Sequence, residues 1–379
     1  MTLKLVVVKH FLSILAISSI LFLSGCGGGG GENVIADNDD NNVIANEFNN
    51  LVYSSYTDEN VNALMMAQDA HVGHRYVLPS ISAYADIDKV PDQAATSVNR
   101  SGITSETAAI EFTTNGDPSG VNGPPDADYL ISVIDTDAEK SLSLSTVLAD
   151  EPNPTTEWAG GVNEGDDYVR IVDTSNGTDK TVAFFDPNGV NGFDYQIFGI
   201  WSESDEIDDL DVGLFSSGMR TDINDAINAS GDKLQEGIYS GRNNATGAWI
   251  DTAGNTWSVY GYFSATVDFS GPVPTMDMSI EGTQAEDENE RPAPGFNPGE
   301  LDLQSVNAIT YDVNTGKFEG SVEMLDQTYG HYTGNVAATF YGPIAGNNVA
   351  PAELGGITSL SGNGLETLGF SFGGSCQNC

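Results

Sequence analysis

Few residues of this chain could carry covalent chemistry, and they lie toward its two ends. Among 379 residues there are three cysteines and four histidines. Cys26 follows Leu23-Ser24-Gly25 at the close of an apolar run, where its thiol could take up a lipid. Cys376 and Cys379 form Cys-x-x-Cys. In an exported protein that pair is expected to close a small disulfide, with a zinc half-site or a redox dithiol as the alternatives. His71 and His74 are spaced so that one helical face could offer both imidazoles to a metal, but no third ligand is identifiable. Carboxylates are so numerous that no pair stands out as an acid and base couple. The acid runs Glu203 to Asp211 and Glu286 to Glu290 offer the oxygens that calcium favours, yet lack a ligand rhythm and are expected to be solvated loops. There is no Gly-x-Ser-x-Gly elbow, no Walker loop and no Gly-x-Gly-x-x-Gly ahead of a helix. The reading is therefore of a chain that catalyses nothing and needs no cofactor.

The surroundings of Cys26 say what its thiol is for. Lys4 and Lys9 precede an apolar stretch from Phe11 to Leu23, short of the roughly 20 residues a membrane span requires, with no basic stop sequence after it. That is the build of a secretory signal. Leu23-Ser24-Gly25-Cys26 resembles the bacterial lipobox, in which the cysteine receives a diacylglycerol and the signal is cut before it. Gly27 to Gly31 and the polar stretch to Asn50, with Asn-Val-Ile-Ala at 33 and again at 42, read as a flexible tether. Residues 1–25 are thus assigned as signal and 26–60 as tether. Gly27 stands where Asp would favour the inner membrane, so resemblance to lipoprotein sorting rules points to the outer membrane.

Charge narrows the partners. With 13 Lys and Arg against 55 Asp and Glu, the formal net charge is -42. Nucleic acid is excluded, because phosphate binding relies on clustered basic residues. Membrane attachment by charge is excluded for the same reason, which leaves acyl chains on Cys26 as the anchor. The acids are expected to form a solvated, repelling surface, with bound cations or adaptation to high salt as alternatives.

At about 150 residues per domain the length suggests two domains with tails, and 43 glycines argue for turns over long helices. The elements that would position any site read as strands. Val61 to Tyr76 has the spacing of a short helix. After it, β-prone runs at Ala108 to Thr114, Tyr129 to Asp135, Leu142 to Leu148, Tyr168 to Asp173 and Thr181 to Phe185 alternate with turn residues. Tyr195 to Trp201, Gly237 to Gly241, Ala245 to Asp251, Thr256 to Phe269, Thr275 to Ile280, Ala308 to Val313, Lys317 to Met324, Tyr332 to Tyr341 and Ile357 to Leu360 continue the series. From Trp257 to Phe269 every second residue is apolar or glycine, the period of a strand with one buried face. Eight or nine strands from Tyr195 onward would close a small antiparallel barrel filled by side chains. The assigned order is a β-rich region over 61–194, a barrel over 195–373 and a Cys-x-x-Cys tail over 374–379.

Four segments carry a resemblance. They are Tyr195-Gln-Ile-Phe-Gly-Ile-Trp201; Tyr239 to Gly247 leading into Asp251-Thr-Ala-Gly-Asn255; Ala265 to Phe269; and Gly334 to Pro343 ahead of Ala352-Glu-Leu-Gly-Gly356. Together they resemble the barrel of the transferrin-binding protein B family of surface lipoproteins, including the transferrin-binding protein-like solute-binding proteins. In two places the chain departs from the family pattern: the spacer from Ile344 to Pro351 is long, and Ile357 replaces the usual Thr-Phe opening of the last strand. The resemblance implies a β-rich handle before the barrel, and capture of a protein, haem or iron-type ligand through loops. It also implies dealings with an outer-membrane receptor or translocator. A structural or protective envelope lipoprotein without a ligand and a secreted hydrolase are the competing readings. Ligand-binding residues are not identifiable from sequence.

Overall fold

A computed structural model describes residues 75–379 apart from 89–94, 116–127, 136–139, 146–167, 174–177, 186–192, 194, 206–208, 222, 224–234, 242–243, 288–290, 327, 329–330 and 346–349. The described residues form two antiparallel sheets. The first contains β1 (Arg75–Asp88), β2 (Ser97–Arg100), β3 (Thr104–Asn115), β4 (Asp128–Asp135), β5 (Lys140–Ser145), β6 (Tyr168–Asp173), β7 (Thr178–Phe185), β8 (Gln196–Asp205) and β9 (Asp209–Gly218). Their order is β5-β4-β3-β1-β9-β8-β7-β6, with β2 on β1 beyond the end of β3. The second contains β10 (Glu236–Ser240), β11 (Ala245–Ile250), β12 (Thr256–Asp268), β13 (Thr275–Glu286), β14 (Leu303–Ser305), β15 (Ile309–Asp312), β16 (Lys317–Met324), β17 (Thr333–Ala345), β18 (Ala350–Ser361) and β19 (Thr367–Cys376).

The second sheet closes on itself. Ten strands fill eight positions in the ring, because two positions are shared by broken strands. β10 and β11 lie end to end between β12 and β19, and β14 and β15 lie end to end between β13 and β16. The alternation read from the sequence holds along β12: Val259, Phe263, Ala265 and Val267 are buried inside while Tyr262, Ser264, Thr266 and Asp268 face out. The interior is filled, not hollow. Phe263 stacks on Phe372 at 4.3 Å, and Phe340 is flanked by Tyr239, Phe269, Tyr311 and Phe318.

The break between β10 and β11 is bridged by one side chain. Asn244 is wholly buried. Its Oδ1 accepts the Phe263 amide at 2.8 Å, and its Nδ2 donates to the carbonyls of Phe263 and Gly373. An amide side chain thus stands in for the missing peptide unit, and the ladder continues across the gap.

Three sequence expectations need correction. Tyr195 to Trp201 is not the first barrel strand: it is β8, paired with β7 and β9 in the first sheet, so the ring begins at Glu236. A run apolar on both faces reports burial but not which sheet provides it. The acid run Glu203 to Asp211 is not all loop, since β8 continues to Asp205 and β9 starts at Asp209; the alternation of Leu210, Val212 and Leu214 was hidden among carboxylates. The helical spacing read over Val61 to Tyr76 ends inside β1, with 61–74 outside the described residues.

The first sheet lies against the outside of the ring. Ile81, Ala83, Ala183, Ile200 and Leu214 pack on Ala337 and Ile357 of the barrel wall. The wall is glycine-rich there because the sheets approach closely: a Cβ on Gly373 would lie 2.5 Å from the Phe198 ring, and one on Gly355 would lie 2.0 Å from Gln196 Oε1.

Two of the four segments behind the family resemblance, the first and the last, meet at this junction. Gln196 Nε2 donates to the Leu354 carbonyl at 3.4 Å, and the Tyr195 amide donates to the Glu353 carboxylate at 3.2 Å. Pro343 does not end its strand; Gly342, at φ 78°, and Pro343 form a bulge within β17 that continues to Ala345. The long spacer from Ile344 to Pro351 begins and ends in strand, with Ile344 paired to Pro351 and Ala345 to Ala350, and 346–349 lie outside the described residues. At the bulge Tyr341 reaches Ser216 at 3.1 Å, Gly342 donates to the Met219 carbonyl at 2.7 Å, and Thr221 Oγ1 donates to the Gly342 carbonyl at 2.6 Å.

Two outcomes follow. Asn244→Ala strands an amide and two carbonyls in the core and should lower stability by about 3 kcal/mol, read as a lower urea midpoint with an unchanged m-value. Gly373→Val should cost about 2 kcal/mol by overpacking and speed proteolytic separation of the first sheet from the ring.

Candidate functional site

One end of the ring carries the hairpin at 251–255, the loop from 287 to 302, the turn before Tyr332 and the turn at 362–366. Its loops are fixed by carboxylates that accept backbone amides. Asp251 Oδ1 receives the amides of Ala253 and Asn255 at 2.8 and 2.9 Å, while its Oδ2 receives Asn255 Nδ2 at 2.8 Å and the Trp257 indole at 3.0 Å. Gly254, at φ 81°, makes the tight turn between them. Asp302 Oδ1 accepts both the amide and the hydroxyl of Thr283 at 2.9 Å. Glu300 Oε2 accepts the Asn297 amide at 2.7 Å, and Glu366 Oε2 accepts the Asn363 amide at 2.6 Å. In a chain with so few cations, peptide N–H groups are the partners that acids find at hand.

Aromatic side chains sit behind these loops. Trp249 lies 6.4 Å from Trp257 and 5.9 Å from Phe296, ring centre to ring centre. Trp249 is buried, whereas Trp257 and Phe296 are half-buried and reach the surface. Trp249 donates to the Tyr332 hydroxyl at 2.9 Å. Burial pushes the Tyr332 hydroxyl up from 10.0 to about 12, the negative Glu366 and Asp251 adding to the effect. The first sheet supports two of the same loops: the Ala95 amide donates to Gly254, and Arg100 Nη2 donates to the carbonyls of Gly364 and Glu366 at 3.1 and 2.9 Å.

This arrangement offers rigid aromatic surface rimmed by acceptors, a combination suited to recognition. Trp249, Trp257, Phe296 and Tyr332 were not singled out from sequence, because an aromatic residue in an apolar strand reads first as core. Arg100 was equally silent, though a lone cation in so acidic a stretch was its one signal.

The residues singled out from sequence are placed as follows. Cys26, His71 and His74 lie outside the described residues. Cys376 and Cys379 are joined in a disulfide, their Cα atoms 5.7 Å apart, against the barrel core. The residues between and beside them hold β10: Gln377 donates to the Ile238 carbonyl at 2.8 Å, and Asn378 Oδ1 accepts the Ile238 amide at 2.9 Å. In the second acid run, Asp287 pairs with Arg291 at 2.6 Å. Among the described residues no group of three metal-ligating side chains comes together, and no helix is long and apolar enough to cross a membrane.

No family model matches the chain, and no curated protein does. Solved structures do. Transferrin-binding protein B of Haemophilus parasuis Hp5, a vaccine antigen, is 12% identical, with a TM-score of 0.36 over 80% of this chain and 76% of that one. Intact Ap-TbpB, with N and C lobes, is 11% identical, with a TM-score of 0.36 over 80% and 77%. Kievitone hydratase of Nectria haematococca is 10% identical, with a TM-score of 0.21 over 86% and 96%.

A titration tests the buried hydroxyl. A group whose folded pKa is raised stabilises the fold fully below its unfolded value and stops doing so as pH climbs through the folded one. Stability should therefore fall between pH 10 and about 12 from Tyr332. Tyr332→Phe should make that limb shallower without abolishing it, because burial raises Tyr239 and Tyr341 too, and should cost about 1 kcal/mol at pH 7 for the lost indole bond, both read by denaturation at stepped pH.

Proposed function

We propose that this chain is an outer-membrane surface lipoprotein, anchored through a diacylated Cys26, whose barrel acts as a non-catalytic binding module for a protein or an iron- or haem-type ligand. The observation that carries the reading is the loop end of the barrel. Trp257 and Phe296 are held there at the surface by loops that their own carboxylates fasten. A recognition surface built this way has little loop entropy left to lose on binding. A side-chain-filled ring leaves the loops as the place for contacts, and the motif resemblance to surface lipoproteins supports the same role. Acidity on this scale favours a partner presenting basic groups.

Protein beginning at Glu32, offered serum, transferrin, haem resin and iron-chelate resin, should retain one of them saturably. Trp257→Ala and Phe296→Ala should each weaken retention about tenfold or more if those rings are anchoring residues. Blank results throughout would sink the capture reading and favour an envelope protein without a ligand. The anchor is checked separately: radiolabelled palmitate should enter the full chain and not Cys26→Ser, and the variant should leave the membrane fraction.

A further inference from the structure

β10 is held differently along its two edges. On one, all five of its residues pair with β12. On the other, β19 reaches only Tyr239 and Ser240 before it ends at Cys376. Ahead of Tyr239, the amide and carbonyl of Ile238 and the carbonyl of Glu236 are met by the loop of residues 376–379. The Gln377 amide donates to the Ile238 carbonyl at 2.8 Å, Asn378 Oδ1 accepts the Ile238 amide at 2.9 Å, and Asn378 Nδ2 donates to the Glu236 carbonyl at 2.8 Å. Gln377 Nε2 adds a bond to the Ser240 carbonyl at 3.0 Å.

The residues that do this lie between Cys376 and Cys379, and the disulfide that closes the loop sets their placement. Joining positions 3 apart in sequence removes little freedom from an unfolded chain. The bond therefore does little for the barrel as a whole and acts on what the loop touches. The loop is also open to a reagent, since Gln377 and Asn378 are exposed and both cysteines are partly so. Exposed disulfides are the ones that exchange with thiols. The clasp and the sulfur meet at one atom: Asn378 Oδ1 lies 3.7 Å from Cys376 Sγ. Once reduced, the Cys376 thiol is a donor beside the oxygen that holds the Ile238 amide, and the two compete for it.

We infer that Cys376 and Cys379 form a redox-sensitive latch on β10, closed as the disulfide and opened by an external dithiol. One thiolate of the dithiol attacks a sulfur of the pair and displaces the other as a thiolate, which takes up a proton. The second thiol of the reductant then displaces the first cysteine from the mixed disulfide. The reductant leaves oxidised to a disulfide and both cysteines are left as thiols, so two electrons and two protons have passed to the protein. Opening frees the backbone groups of Glu236 and Ile238, a bare strand edge at the entry to the ring. β10 starts beside the end of β12, so the latch lies at the end of the barrel opposite the aromatic loops and does not depend on capture there.

The probe is dithiothreitol, added without denaturant to the full chain, with iodoacetamide alkylation located by peptide mass and backbone amide exchange as the readouts. Cys376 and Cys379 should both become alkylated, and exchange at Ile238 should quicken about tenfold or more, with β16, β17 and β18 unchanged. Asn378→Ala keeps the disulfide and removes the clasp, so it should show the quickened exchange at Ile238 before any reductant is added. Cys376→Ser combined with Cys379→Ser should match the reduced protein with or without dithiothreitol. Cysteines that resist reduction until the protein is denatured would overturn the assignment, as would exchange at Ile238 unchanged by reduction or by Asn378→Ala. Loss of protection across the whole barrel on reduction would overturn it too, making the bond a staple of the fold.

Discussion

A closed sheet escapes the problem of exposed edges only if every position around the ring offers a continuous ladder. Here two positions are shared by broken strands, and continuity rests on side chains that imitate backbone. Asn244 does so most completely, accepting one amide and donating to two carbonyls from a wholly buried site. The same substitution of side chain for peptide recurs at the loop end, where Asp251, Asp302, Glu300 and Glu366 accept main-chain amides. It recurs on the other side of the barrel, where hydrogen bonds from Ser270 to Asp268 and from Asn314 to Asp312 hold both carboxyls below their ordinary range. The acidity of the chain, which as composition looks like a coat for solvent, is at these places part of the architecture.

The second constraint is distance. The first sheet can press closely against the ring because the wall beneath it places Gly355, Gly369 and Gly373 beside Ala337 and Ile357, and this explains what the recurring motifs accomplish. Tyr195-Gln196, Gly342-Pro343 and Glu353 to Gly355 are far apart in sequence, and each contributes to one clasp between the sheets. Their service is to the relation between two layers. None of them faces the aromatic loop end.

The barrel strands with one wet face were legible beforehand: β12 alternates so regularly that its inner row, Val259 to Val267, could be named from the chain alone. Strands buried on both faces were legible as strands but not as members of a particular sheet, which is why β8 was given to the wrong one. β9 was missed because its flanking acids suggested a loop, and β19 because its glycines argue against a strand. Those glycines are present for packing, a reason invisible without the neighbour. The hairpin at 251–255 was legible, but the aromatic cluster beside it was not, since Trp249, Phe296 and Tyr332 meet only after the ring has closed.

β19 occupies a special place in this order of events. It pairs with β11, more than a hundred residues earlier, and with β18, and it also bears Gly369 and Gly373, against which Leu214 and Phe198 of the first sheet settle. Contacts of such long sequence separation form late and slowly. A chain emerging amino end first therefore holds neither a finished ring nor a finished interface until the residues beyond Thr367 have appeared. Until then β11 and β18 keep unpaired edges, and the interval of greatest danger from aggregation is the one before β19 has joined them.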